Sequence, residues 1–229
     1  METYSGVDFG FVQYFLNRFV GMGNHKSNLQ MKTNIRISLV LITALFGLYA
    51  FKPLDKKIIV IDAGHGGNDL GATLNDLQEK TIVENIAKRI KSQNKSENLE
   101  IVLLREGDHE MELSERISII NNLNPSFVIS LHVNSSENFS RNGVEAYVSA
   151  NPKYCDESKA NAEIVIDKVA GNYFSKGEVT KASFYILKNS NCPAMTLEIG
   201  YLSNINDRTY IISEKGQAEI ADKILEAVK

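Results

Sequence analysis

His65, Glu79, His132 and Glu198 are the residues of this chain whose types and settings best suit chemistry. A hydrolytic zinc site takes nitrogen and oxygen ligands, keeps one position open for water and needs a base beside it. Two histidines and two glutamates can supply that set, and their types alone leave open which glutamate is ligand and which is base. Cysteine chemistry is limited, because only Cys155 and Cys192 occur and no CxxC pair exists. Any metal must therefore be held by imidazole and carboxylate.

Each of the four sits in a distinct local context. His65 lies in Asp62-Ala63-Gly64-His65-Gly66-Gly67-Asn68-Asp69, where glycines permit a tight turn straight out of a strand. No Gly-Lys-Ser/Thr follows and no GxGxxG forms, which removes the phosphate-loop and dinucleotide readings. Glu79 opens an amphipathic helical stretch, where a helix-dipole role competes with ligation. His132 ends the apolar run Phe127–Val133 and is followed by small polar residues. Asn134 shares its strand direction by the period of two and is a candidate substrate contact. Glu198 is a carboxylate inside the apolar run Ala194–Gly200, and such burial is costly unless the group is paired or functional. Low polarity also raises a carboxyl pKa toward the range of a useful base.

The elements that must position these residues alternate between apolar runs and helical periodicity. Expected strands are 57–62, 100–105, 127–133, 143–149, 183–189 and 194–200. Helices are expected around Ile82–Ile90, Leu113–Ile120, 157–171 and Ile220–Val228. This order predicts an α/β fold, a mixed, mostly parallel sheet of about six strands flanked by helices, in one catalytic domain. Sites in such sheets gather beyond the carboxyl ends of the strands.

Composition bounds the function further. The chain has 229 residues, 43% hydrophobic, with a formal net charge of -3. No basic block or aromatic-interleaved basic surface is present, so nucleic acid is not an expected partner. Residues 37–51 are apolar and uncharged behind Lys32 and Arg36. Residues 31–52 accordingly read as a signal peptide or membrane anchor, residues 1–30 as an N-terminal extension, and residues 53–229 as the catalytic domain. Export to the periplasm or cell envelope is expected, where the two cysteines meet conditions that permit a disulfide.

The ordered blocks DAGHGGNDLGA, QEK, LLRE, LSER, FVISLHVNSS, GVEAYV and PAMTLEIGYLSN resemble the zinc-dependent N-acetylmuramoyl-L-alanine amidases of the amidase-3 family. The resemblance extends from Lys57 to Lys229. It implies one Zn2+ held by His65, Glu79 and His132, with Glu198 as the catalytic carboxylate. It implies hydrolysis of the amide between N-acetylmuramic acid and the L-alanine of the stem peptide, with peptidoglycan as substrate and a monomeric enzyme. Arg105 and Arg116 match recurrent arginines with structural or substrate-shaping positions. Thr81 and Tyr201 depart from the usual aspartate and phenylalanine. Some relatives carry a helix that plugs the cleft, and the short interval between His132 and Glu198 predicts that this chain lacks one. The competing reading keeps zinc but changes the bond, to that of a peptidase or deacetylase on another cell-wall amide.

Overall fold

The computed structural model describes residues 56–229, apart from Asn172, together with the isolated Ser38. The expected extension and the signal or anchor segment lie outside the described residues. No helix among the described residues is long and apolar enough to cross a membrane.

The elements run β1 (Lys57–Ala63), a small β2–β3 hairpin (Thr73–Leu74, Leu77–Gln78), α1 (Glu79–Gln93), β4 (Leu99–Leu103) and α2 (Leu113–Leu123). They continue with β5 (Phe127–Asn134), β6 (Val144–Ser149), α3 (Cys155–Ala170), β7 (Lys176–Ala182), α4 (Tyr185–Asn189), β8 (Ala194–Tyr201), α5 (Ile205–Ile211) and α6 (Glu214–Val228). One six-stranded sheet has the order β4-β1-β5-β8-β6-β7. Strands β4, β1, β5 and β8 are parallel. The β6–β7 pair is parallel within itself and antiparallel to β8. The mixed, mostly parallel sheet expected from the sequence is therefore the one observed.

One strand expectation is wrong. Residues 183–189 form no strand, since Tyr185–Asn189 is the short helix α4, and the sixth strand is β7 at 176–182. The apolar content of 183–189 serves helix packing, because Ile186 and Leu187 are buried under the sheet. Strand β7, KGEVTKA, is an edge strand with mostly exposed or half-buried side chains, so it lacks the apolar signal that marks a central strand. The hairpin and α5 are also absent from the sequence reading.

Strand alternation divides the sheet into two unlike faces. One face is wholly apolar. Ile59, Ile61, Ile129, Leu131, Met195 and Leu197 pack there against α1, α3 and α6 in the main core. Full burial of each such side chain contributes about 1.5–3 kcal/mol. The other face is built in rows set by register. Val60, Val128 and Ala194 are aligned in a first, apolar row that belongs to the second core cluster with Ile120 of α2 and Ile186 and Leu187 of α4. Asp62, Ser130, Thr196 and Tyr147 make a polar second row. His132, Glu198 and Glu145 make the third, nearest the carboxyl ends of β5 and β8.

Candidate active site

His65 emerges from the turn after β1 with φ of 62°, a left-handed conformation unusual outside glycine. Two buried arginines hold this strained turn by its carbonyls. Arg116 donates to Ala63 O at 2.9 Å, to His65 O at 2.6 Å and to Met111 O at 3.1 Å. Its charge is met by the buried Asp62 carboxylate, which also accepts from Ser130 Oγ at 2.7 Å. Arg105 donates to Gly64 O at 3.3 Å and pairs with Glu84 at 2.8 Å. The two arginines singled out in the sequence thus have a shared task, fixing the flanks of His65.

Glycine is required at two neighbouring positions by contact. A Cβ on Gly64 would lie 2.4 Å from the His132 imidazole. A Cβ on Gly71, where φ is +66°, would lie 2.5 Å from Glu79 Oε2 and 2.6 Å from the His65 ring. The first turn of α1 brings Glu79 into this space. Its Oε2 accepts from Ala72 N at 2.7 Å and its Oε1 accepts from Val133 N at 2.9 Å. Glu79 Oε1 also lies 3.1 Å from His65 Nε2 and 2.9 Å from His132 Nδ1. The imidazoles meet edge to face, with centroids 4.9 Å apart.

His65, Glu79 and His132 therefore offer three ligand atoms within 4.8 Å of one another. The donor chemistry fits zinc: two imidazole nitrogens and one carboxylate oxygen, on a site that opens to solvent. Asp69 Oδ2 sits 2.8 Å from His65 Nδ1, which reserves Nε2 for a ligand. Asp69 was not singled out in the sequence, although it lies four residues after His65 in the same loop.

Electrostatics separate the two glutamates. Burial opposes ionisation of Glu79, but the hydrogen bonds from His132 and His65 overcome it and hold the carboxyl well below its usual range. Burial would lower His65, yet Glu79 and Asp69 raise it to about 9. Glu198 is pushed the other way. Burial raises its pKa to about 7, with Glu79 and Glu145 adding to the rise and His132 and His65 opposing it. Glu198 is the cross-strand partner of His132 on one side and of Glu145 on the other.

Asn134 follows His132 on β5 with the alternation kept, both being half-buried, and the extra residue of the β5–β8 register shift lies in β8, between Glu198 and Tyr201. Asn134 Oδ1 accepts from Ser135 N at 2.8 Å and its carbonyl from Leu202 N at 2.7 Å. Cys155 and Cys192 are both free and buried. Burial pushes the Cys192 thiol up to about 11. A cavity of about 360 Å³ opens beside the histidines, walled by Asp69, Glu110, Met111, Glu112, Leu113 and Ile186 among others. Helix α3 packs into the core of the opposite face, and no described residue between 150 and 180 joins the ligand set.

Comparison with known proteins agrees with this geometry. The amidase-3 family, N-acetylmuramoyl-L-alanine amidase, matches residues 59–229. The chain is 30% identical over 179 residues to the uncharacterized protein YqiI of Bacillus subtilis, covering 78% of this chain and 86% of that one. It is 34% identical over 154 residues to the sporulation-specific N-acetylmuramoyl-L-alanine amidase of the same species, covering 65% of this chain and 58% of that relative's length. Among solved structures, the N-acetylmuramoyl-L-alanine amidase of Clostridium difficile 630 aligns with a TM-score of 0.71 at 28% identity, covering 76% of this chain and 95% of that one. With a family match across residues 59–229 and the fold of a solved amidase, the chain belongs to the N-acetylmuramoyl-L-alanine amidases, hydrolases of the peptidoglycan amide bond.

Proposed function

We propose that the protein is a zinc-dependent amidase that cleaves between N-acetylmuramic acid and the L-alanine of the stem peptide, in the periplasm or cell envelope. The observation that carries this reading is the register of His132 with Glu198, which sets a half-buried carboxylate one strand away from a two-histidine, one-glutamate ligand set. Zinc bound there would polarise the scissile carbonyl and lower the pKa of a water from about 15.7 toward 7.

The chain's residues divide the remaining work. His65, Glu79 and His132 hold the ion, with Asp69 orienting His65. Glu198, whose pKa of about 7 lets it exchange a proton near neutrality, takes a proton from the attacking water. It then delivers that proton to the leaving amine, so one carboxyl acts as base and afterwards as acid. Residues 53–229 form the catalytic domain, and residues 31–52 export or tether it. Cell-wall remodelling, daughter-cell separation or lysis are the roles such an activity serves.

Digestion of purified peptidoglycan with and without a chelator, followed by mass analysis, tests the proposal. Chelator-sensitive release of stem peptides that begin with L-alanine, with glycan length and acetyl groups intact, is the expected result. Shortened peptides or lost acetyl groups would instead support the peptidase or deacetylase reading.

A further inference from the structure

The basic side chains around the site are not equally engaged. Arg116 and Arg105 are buried, and their Nη donors are spent on backbone carbonyls and carboxylates. Lys80 is buried and bonded to Gly67 O and Asp108, each at 2.7 Å. Arg141 differs. Its side chain is 52% exposed, and its one side-chain hydrogen bond runs from Nη2 to Glu145 Oε1 at 3.1 Å.

Arg141 is nevertheless held in place. Its guanidinium carbon sits 5.0 Å from the centroid of the Tyr201 ring. Tyr201 in turn donates to Glu145 Oε1 at 2.8 Å, and Tyr147 donates to Glu145 Oε2 at 3.3 Å. The supporting loop is tied to the end of β8 and to α5 by Ser136 N to Ser203 Oγ at 3.0 Å and Gly143 N to Asp207 Oδ2 at 2.8 Å. Glu145 is the direct cross-strand partner of Glu198, so this cation stands one side chain beyond the proposed base. Stacking and one ion pair restrict the rotamers of the fork while leaving other N–H donors open, which is the arrangement that suits planar, bidentate capture of a carboxylate.

Charge gives the cleft a direction. The cavity on the histidine side is walled by Asp69, Glu110 and Glu112, which repel an anion, and the arginine that lines it, Arg116, is already paired with Asp62. A carboxylate-bearing chain is therefore favoured on the Arg141 side. The step from Glu198 to its cross-strand partner Glu145 is about 4.8 Å, and one to two extended residues span roughly 3–7 Å, so a group just past the scissile bond reaches the Glu145–Arg141 side.

We propose that Arg141 is a specificity-determining residue of the cleft, binding a carboxylate of the stem peptide one or two residues beyond the scissile amide. The assignment rests on the amidase reading above. It is tested with the zinc-loaded full chain and two muropeptides that differ only in whether the second stem residue carries a free carboxylate or its carboxamide. Wild type should prefer the free acid by about tenfold or more in kcat/KM, the size expected of a charge-assisted hydrogen bond, and the preference should lie mainly in KM. Arg141→Ala should erase the preference, and Arg141→Lys should retain part of it, with melting temperature reporting that each variant is folded. Equal loss on both substrates, or a wild type indifferent to the carboxylate, would overturn the assignment while leaving the amidase reading intact. A wild type that cuts neither muropeptide would overturn both.

Discussion

His132 and Glu198 are register partners on adjacent parallel strands, so ligand and proposed base are separated by a single inter-strand step, about 4.8 Å along the sheet. Neither side chain needs a loop to find the other. The sheet itself sets their spacing, which is the kind of support that keeps a reacting constellation rigid.

That separation of tasks predicts different outcomes for two substitutions. Glu198→Gln should retain stoichiometric zinc while losing about 10²–10⁴-fold in kcat. His132→Ala should lose both metal and activity. Metal analysis beside a peptidoglycan-release assay distinguishes them, and near wild-type cleavage by Glu198→Gln would defeat its role as base.

Glu198 also predicts the acid limb of the activity profile. The base must be ionised, so kcat/KM should fall as pH drops through its pKa. Burial places that value at about 7, and a bound cation favours the carboxylate and acts against burial. The limb should therefore fall at or below about pH 7. An acid limb well above that value would point to another group.

Asp69 fixes the His65 ring through Nδ1. Asp69→Asn should weaken zinc binding about 10- to 100-fold without unfolding the protein. Competition against a chromophoric chelator measures this directly. Unchanged affinity would show that the contact is incidental.

Gly64→Ala tests the close approach of β1 and β5. Its backbone angles are ordinary, but the new methyl would meet the His132 imidazole at 2.4 Å. The protein should fold, with zinc affinity and activity both reduced. Wild-type affinity would mean that the ring shifts without cost.

Arg105→Ala leaves Glu84 with Lys88 as its remaining cation and strips Gly64 O and Gly107 O of a buried donor, and should destabilise the fold by about 1–3 kcal/mol. Burial opposes ionisation of Glu84, but Lys88 and Arg105 overcome it and hold the carboxyl below its usual value. Because the folded pKa is depressed, this contribution is present above the ordinary carboxylate range and is lost as pH falls through the folded value. Denaturant titrations at neutral and acid pH should therefore show a smaller gap between wild type and variant in acid.

Most of this architecture was legible because its signals are local. β1, β5 and β8 read as apolar runs because they are buried on both faces, and His65, His132 and Glu198 interrupt those runs or follow them, while Glu79 opens α1. The site was legible for a similar reason, since glycines around His65 and a carboxylate within Ala194–Tyr201 have no simple packing purpose. What escaped detection depends on tertiary context. β7 is an exposed edge that borrows its strand character from β6, and 183–189 trades an apparent strand for a helix because Ile186 and Leu187 fill a pocket under the sheet. The extra residue in β8 opposite Asn134 is a pairing irregularity that no single strand can reveal. The Arg141–Tyr201–Glu145 group joins two segments distant in the chain and has no linear signature.

The strand order carries one further consequence. β8 lies in the middle of the sheet, flanked by β5 and β6, yet it is the last strand in the chain. All three ligand residues precede β6 in the chain, and the place between β5 and β6 is filled only by residues 194–201. Closing the sheet and bringing Glu198 beside His132 are therefore the same structural step.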